Sequence, residues 1–291
     1  MPSGSALSHP PTTPVIEAGD ITGEIFSTDS LRSDAADTTT VDPLRLGILA
    51  SASTGTFLAG HVFFSNLWWK GEPVPFRFEF MQDWQYALGA DKFGHAIFPY
   101  FGTDLYREAL EWTGFNRRTS LWIAAGLVWS YMTYIEVRDG FSRDWGFSWG
   151  DMAANTLGVG WRVAEEYVPA LSAVTWKVSY WPSDAWRAGL YSQIIDDYES
   201  TYHWASIDPE LFLPASADDW WPDWLNLAVA HTVEDIVAYD GSGSHAIVLA
   251  LDIDTEGFGV TDPFWAGVLR VLNYYHIPMP AWRIGEGVGL R

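Results

Sequence analysis

The chain has no cysteine, few lysines and a low share of charged residues, and each shortage excludes a class of protein. Its 291 residues contain no Cys, which excludes disulfides, thiolate chemistry and sulfur-rich metal sites. Lysine occurs only at Lys70, Lys92 and Lys177, and 16 basic residues face 37 acidic ones for a formal net charge of -21. Because phosphate binding needs a basic surface, we expect no nucleic-acid partner.

The acidic excess is uneven along the chain. Charged residues make up only 18% of the sequence, so the excess comes from missing cations. Residues 46–175 carry thirteen acidic and nine basic side chains, whereas residues 176–291 carry seventeen and five. This pattern is typical of a lipid-facing or tightly packed centre with water-facing ends. The acidity fits either solvation in a high-salt habitat or a cation-binding surface, and the scattered spacing favours the first.

Composition divides the chain into three predicted segments. Residues 1–43 are rich in Ser, Thr, Pro, Asp and Gly, which predicts a disordered or loosely attached leader. The leader lacks the basic start and apolar core of a signal peptide. Residues 44–175 are expected to form a helical, membrane-associated domain, and residues 176–291 an acidic, Trp-rich region with short strands.

The segment from Leu46 to Trp69 holds 24 residues without a charged side chain. A helix of that length spans a ~30 Å hydrocarbon layer. The segment ends in Trp68-Trp69-Lys70, an aromatic and basic border that is typical of a membrane interface. Its many small residues also fit a buried helix of a soluble protein. We expect a membrane-associated helix here.

Periodicity predicts the remaining elements. Apolar spacing indicates three further helices, at about 91–112, 118–137 and 148–167. Strands are expected at 176–181, 225–229 and 245–254, with Ile247, Leu249, Leu251 and Ile253 on one face of the last. The expected fold class is therefore mainly α. It is a membrane-associated bundle of about four helices followed by a smaller, irregular α+β C-terminal region.

A polar cluster interrupts these apolar helices. Ionisable groups are costly in apolar surroundings unless they are paired, so such a cluster is either functional or a structural lock between helices. Its members are Asp91, Lys92, His95, Glu136, Asp139, Ser148, Asp151 and Asn155.

Parts of the cluster have ordinary structural explanations. Asp91 and His95 are four residues apart on one helix face, which fits either a histidine oriented by a carboxylate or an intrahelical pair. Glu136 and Asp139 end the third helix one turn apart, which fits either a surface salt network with Arg138 and Arg143 or a partner such as Lys92 or His95. Ser148 and Asp151 have the spacing of a capping box. The small residues of Gly158-x-Gly160 would let a neighbouring helix approach closely, with Asn155 hydrogen bonding across that contact.

Three motifs together resemble a known family pattern. They are Asp91-Lys92-x-x-His95, Glu136-x-x-Asp139 and Ser148-x-x-Asp151-x-x-x-Asn155-x-x-Gly158. Their order and spacing are similar to those of the YfiM-like family of predicted envelope lipoproteins, a domain of unknown function, and to the VanZ-like membrane domain. The resemblance implies helices gathered around the polar residues and an outer-membrane or periplasmic location. It brings no reaction with it, and this chain has no lipobox cysteine.

Two functional hypotheses follow. In the leading one, the chain is a non-enzymatic, membrane-associated envelope protein, structural or part of an assembly, whose polar cluster locks the helices. Asp91, Lys92 and His95 are then expected to pair with Glu136 and Asp139, and His95 is expected to converge with Glu136. In the alternative, an envelope hydrolase or transferase acts on a lipid or cell-wall head group. His95 is then the base, Asp91 its orienter, and Glu136 with Asp139 the acid or metal ligands. The expected partners are membrane lipid and other subunits of a membrane assembly; no cofactor is expected, and the metal is left open.

Overall fold

The computed structural model describes residues 40–80, 83–190, 193–213, 220–237 and 240–284. These residues form six α-helices, a five-stranded sheet and a separate pair of two-residue strands. The predicted leader at 1–43 lies almost entirely outside them.

The first helix, α1 (Pro43–Leu67), has no buried residue. Asp42 caps it, because its side chain accepts hydrogen bonds from the backbone amides of Leu44 and Arg45. Pro43 takes the first helical position, where no amide hydrogen is needed. Among the described residues, α1 is the one helix that is long and apolar enough, by length and composition, to cross a membrane.

Three packed helices carry the polar cluster. They are α2 (Ala90–Trp112), α3 (Arg117–Gly140) and α4 (Trp149–Glu165). The side chain of Asn116 caps α3 and that of Ser148 caps α4, each by accepting from a backbone amide three residues on. The helices predicted from apolar spacing therefore lie where the sequence placed them.

The contact between α2 and α4 depends on Gly158. A Cβ at this position would lie 1.9 Å from the carbonyl oxygen of Ala96, so only glycine permits the observed approach. A Cβ at Gly160 would meet nothing within 4 Å. The predicted close approach is thus confirmed at Gly158 and wrong at Gly160.

The C-terminal half is built on an antiparallel meander whose strands neighbour one another in chain order. Its strands are β3 (Val174–Tyr180), β4 (Thr201–Ile207), β5 (Leu225–Val237), β6 (Ser242–Ile253) and β7 (Ala281–Ile284). The short strands β1 (Phe78–Glu79) and β2 (Phe147–Ser148) pair in parallel beside the helices, and two more helices are α5 (Asp184–Arg187) and α6 (Pro263–Asn273).

The expected mainly α fold class is wrong. A regular five-stranded antiparallel sheet stands where an irregular region with short strands was predicted, and only one described helix meets the criteria for a membrane span. The strand predicted at 225–229 is part of a longer one. His231, Glu234 and Asp235 continue β5 to Val237, and its pairing with β6 shifts register between Glu234 and Val237.

The sheet also buries an unexpected face. Ile247 and Leu249 do share one face of β6, but they are 37% and 39% exposed. The opposite face holds Ala246, Val248 and Ala250, which are buried. Small side chains occupy that inner face because the large ring of Trp204 and neighbouring residues pack against them.

Side chains of α2 hold the helices against the C-terminal half. Phe93 stacks on His231 with ring centroids 4.4 Å apart. Asp104 Oδ1 accepts a hydrogen bond from Arg162 Nε at 2.7 Å, and its Oδ2 accepts one from Tyr274 Oη at 2.5 Å. Asp104 thus ties α2 both to α4 and to the chain between α6 and β7.

Candidate functional site

An acidic pocket of about 110 Å³ forms where the starts of α2 and α4 meet the end of α3. Asp91 and Asp151 lie in the first turns of their helices, where the helix dipole favours negative charge. The acidic side chains that line the pocket are Glu79, Asp83, Asp91, Glu136, Asp139, Asp144, Asp151 and Asp196.

Asp83 enters the pocket from the loop before α2. It accepts a hydrogen bond from Ser148 Oγ at 2.6 Å and from Lys92 Nζ at 2.5 Å. In the same loop, Ala87 and Leu88 have φ angles of 46° and 54°, in the left-handed region that non-glycine residues rarely adopt. Asp83 was not predicted as a site residue, because it lies outside every helical spacing and nothing in the local sequence marks it.

Lys92 is surrounded by three carboxylates. Its Nζ lies 2.5 Å from Asp83 Oδ1, 3.0 Å from Asp91 Oδ2 and 2.7 Å from Asp151 Oδ1. Burial disfavours the charged lysine, but the carboxylates of Asp151 and Asp91 outweigh it and raise the pKa of Lys92. Burial and the Asp151 charge raise the pKa of Asp91 to about 6. A single ammonium group cannot neutralise all three acids.

The side chain of His95, on α2, reaches residues of both α3 and α4. Its Nδ1 is 3.2 Å from Asn155 Oδ1 and 3.5 Å from Glu136 Oε1, and its Nε2 is 3.9 Å from Asp151 Oδ1. Because the amide oxygen of Asn155 can only accept, the proton of the neutral ring belongs on Nδ1. The Nε2 lone pair then lies on the side of Asp151. Asn155 therefore orients His95, a role that was predicted for Asp91 under the alternative hypothesis.

Glu136 is almost completely enclosed, with 1% of its surface exposed. Among the described residues no group donates a hydrogen bond to its Oε1. Burial, with the charges of Asp151 and Asp139, raises the pKa of Glu136 well above its usual range. A buried carboxylate oxygen without a donor or counterion is costly, so this position suits a positively charged ligand.

His95, Glu136 and Asp151 together have the arrangement of a metal site. Each offers one ligand atom, and these atoms lie within 4.8 Å of one another. One imidazole and two carboxylates are typical ligands of zinc, manganese and non-haem iron, and three protein ligands leave a coordination position for water or substrate. Asp151 would share its carboxylate between the metal and Lys92.

Asp139 and Asp151 pair differently from the prediction. Asp139 was expected near Lys92 or His95, but it accepts a hydrogen bond from Trp69 Nε1 at 2.6 Å. Burial raises the pKa of Asp139 to about 7. The Ser148 hydroxyl accepts from the Asp151 amide at 2.8 Å, as a helix cap should, but the Asp151 carboxylate turns to Lys92 and does not complete a capping box.

Residues 80–165 match one family model. Its description is a predicted periplasmic lipoprotein, DUF2279, a domain of unknown function. The matched stretch begins directly after β1 and contains α2, α3 and α4, which carry most of the cluster in the pocket. Neither the curated proteins nor the solved structures include a match to this chain.

The match supports part of the earlier resemblance. It agrees with a lipoprotein family of unknown function and with an envelope or periplasmic location. It supports neither the YfiM nor the VanZ designation, and it does not indicate embedding in the membrane.

Proposed function

We propose that the acidic pocket binds a divalent transition-metal cation through His95, Glu136 and Asp151. The observation that carries this proposal is the buried Oε1 of Glu136, which receives no hydrogen bond from the described residues. A cation would supply the missing positive charge. It would also use the convergence of ligand atoms within 4.8 Å.

The pocket's chemistry favours metal-assisted hydrolysis or transfer at a lipid or cell-wall head group. A metal bound there would lower the pKa of a coordinated water and polarise an ester. Asp91 and Asp139 line the same pocket with pKa values raised to about 6 and 7, which suits groups that exchange protons near neutral pH. Asn155 keeps the His95 ring oriented, as an outer partner of a metal ligand does.

A structural role for part of the cluster is a second candidate. Lys92 joins the loop residue Asp83 to Asp91 of α2 and Asp151 of α4, and all four side chains are largely buried. This arrangement supports a lock between elements, as expected for a structural or assembly component. It leaves Glu136 Oε1 unexplained, so metal binding accounts for more of the pocket.

Membrane lipid is the partner that we propose for α1. The helix has 25 residues, none of them buried, and the uncharged stretch from Leu46 to Trp69 lies almost wholly within it. Trp68, which directly follows α1, lines the acidic pocket. A lipid head group near the end of this helix would therefore lie close to the proposed metal. Contact of α1 with another subunit is the alternative that reconstitution in lipid would reveal.

Calorimetric titration of the metal-free protein with Zn²⁺ tests the proposal. The wild type should bind one ion. Glu136→Gln keeps the shape of the side chain but removes its charge, and it should lower the affinity for zinc by about 10-fold to 100-fold. Glu72→Gln is the matched control because Glu72 is exposed on the connector after α1. Equal affinity in the wild type and Glu136→Gln would remove the proposed site.

Hydrolysis of a phospholipid in mixed micelles tests the enzymatic part of the proposal. The zinc-loaded wild type and Glu72→Gln should release head group, and Glu136→Gln should not. Zinc binding without release would leave the cation site in place and contradict the enzymatic role.

A further inference from the structure

A second cavity, of about 420 Å³, lies over the inner face of the sheet. Strands β3, β4, β6 and β7 form one side, and the chain that leads from α6 to β7 forms the other. Tyr202, Trp204 and Tyr275 supply aromatic walls, with Val248 and Met279 adding aliphatic surface. Its volume is in the range of small-molecule sites. The cavity shares no lining residue with the acidic pocket.

A buried histidine forms part of this cavity. His276 is 2% exposed and stacks on Trp204 with ring centroids 3.8 Å apart. Its Nδ1 lies 2.7 Å from Asp252 Oδ1, while Asp252 Oδ2 is 2.6 Å from Lys177 Nζ and also accepts from Ser206 Oγ at 2.6 Å. The ammonium group of Lys177 keeps Asp252 ionised, so this carboxylate can only accept.

The fixed Asp252 defines the hydrogen-bonding state of His276. Nδ1 must donate to the carboxylate, which leaves Nε2 of the neutral ring as an acceptor. Among the described residues no group donates to Nε2. Every other member of this network has a partner, so Nε2 is the atom of the network that remains for a molecule in the cavity.

We propose that the cavity binds a small apolar molecule carrying one hydroxyl or amine group, which donates a hydrogen bond to His276 Nε2. Aromatic and aliphatic walls suit an apolar body. A ligand without a donor would bury Nε2 unpaired. An anionic head group is disfavoured, because it would meet a lone pair and because Arg283 at the cavity already pairs with Glu234.

A matched pair of probes tests the chemistry of the ligand. 4-Butylphenol carries a hydroxyl donor, and 4-butylanisole replaces that hydrogen by a methyl group. Calorimetric titration of the full chain should show saturable binding of one 4-butylphenol. The anisole should bind at least about tenfold more weakly, the factor expected for one hydrogen bond to a buried acceptor.

Two variants locate the site. Ala281→Phe places a ring in the cavity at a side chain that takes no part in the hydrogen bonds of His276, and it should abolish binding of 4-butylphenol. Ile284→Phe adds the same kind of ring on the opposite, exposed face of β7 and should leave binding unchanged. His276→Phe keeps the stacking on Trp204 but removes Nε2, so it should bind phenol and anisole alike. Circular dichroism checks that each variant is folded.

The outcomes are decisive in either direction. Loss of binding in Ala281→Phe together with preference for the phenol supports the proposal. Absence of saturable binding in the wild type, unchanged binding in folded Ala281→Phe, or equal affinity for the two probes would overturn it. The experiment involves neither the acidic pocket nor the metal proposed for it, so its outcome is independent of the proposed function.

Discussion

Two buried lysines, one among the helices and one on the sheet, have very different surroundings. Lys177 is fully buried and meets one carboxylate, that of Asp252, at 2.6 Å. Its remaining hydrogens go to Asn273 Oδ1 at 2.7 Å and to the carbonyl oxygen of Ile253 at 2.9 Å. Lys92 instead meets three carboxylates beside an open pocket.

The difference separates a cluster that holds the fold from one that suits a ligand. The first, the sheet cluster, comprises Lys177, Asp252, Ser206, Asn273 and His276. The second, the helical cluster, comprises Lys92, Asp83, Asp91, Asp151, His95 and Glu136. Around Lys177 the two charges cancel, and the remaining donors have neutral acceptors. Around Lys92 the acids outnumber the base, and Glu136 Oε1 stays without a donor among the described residues. Buried charges are retained cheaply only when they are paired, so the surplus at the helical cluster indicates a missing cation.

Breaking the sheet cluster should produce the largest effect. Lys177→Met leaves Asp252 as a buried, uncompensated charge, and we expect a loss of ~3–5 kcal/mol in the free energy of unfolding. Chemical denaturation measures it, and Lys70→Met, at an exposed lysine, should change little. Zinc affinity of the folded fraction should stay unchanged. A loss below ~1 kcal/mol would mean that the sheet cluster holds nothing together.

Binding of Zn²⁺ to the helical cluster should have the next largest effect on the free energy of unfolding. Zn²⁺ at a hundred times its dissociation constant should raise the free energy of unfolding by ~2.7 kcal/mol, because only the folded pocket binds it. Thermal denaturation with and without the ion measures the gain. The gain should persist in Lys177→Met, whose helices are intact, and disappear in Glu136→Gln. Equal stabilisation of both variants would contradict the assignment of the site to the helices.

Changing the α2–α4 contact should have a smaller effect that is confined to the helical cluster. Gly158→Ala forces a Cβ against Ala96, next to His95, and should lower the free energy of unfolding by ~1–3 kcal/mol. Gly160 lies two residues further on, at an exposed position in the middle of α4. Gly160→Ala should raise the free energy of unfolding by up to ~1 kcal/mol. Denaturation curves of the two variants measure the opposite signs. Equal effects would contradict the close approach.

Acid should weaken the sheet cluster by a modest amount. Burial opposes ionisation of Asp252, but the hydrogen bond from His276 and the charge of Lys177 prevail and lower its pKa. The stability that Asp252 provides is therefore present above pH ~4 and is lost as the pH falls through its folded pKa, by ~1.4 kcal/mol per unit of lowering.

Asp252→Asn isolates that loss. Between pH 6 and pH 2.5, the wild type should lose more unfolding free energy than Asp252→Asn, since other acids titrate in both proteins. Asp184→Asn, at a fully exposed side chain, is the control and should follow the wild type. Identical acid slopes in all three would show that Asp252 is not held ionised.

The helices and the helical cluster could be predicted because their signals are local. Apolar spacing set α2, α3 and α4, and the serine three residues before Asp151 marked the start of α4. The convergence of His95 with Glu136, singled out from their positions at helix ends, agrees with a separation of 3.5 Å. The metal role of these residues stays a prediction.

The rest could not be predicted because it depends on long-range packing. Large residues such as Ile247 and Leu249 imply the buried face of a strand, yet the inner face uses alanines to make room for Trp204. Asp83 reaches Lys92 only through a loop whose path no periodicity reveals. Lys177 and Asp252 are 75 residues apart in the sequence, and only the strand pairing brings them together.

Anomalous diffraction from crystals soaked in Zn²⁺ tests the central claim most directly. We expect a zinc peak in the acidic pocket, within ~2.0–2.2 Å of an imidazole nitrogen of His95 and of one carboxylate oxygen each from Glu136 and Asp151. No peak should occur at the sheet cluster around Lys177. A pocket without zinc, or zinc bound only to exposed acids, would contradict the account.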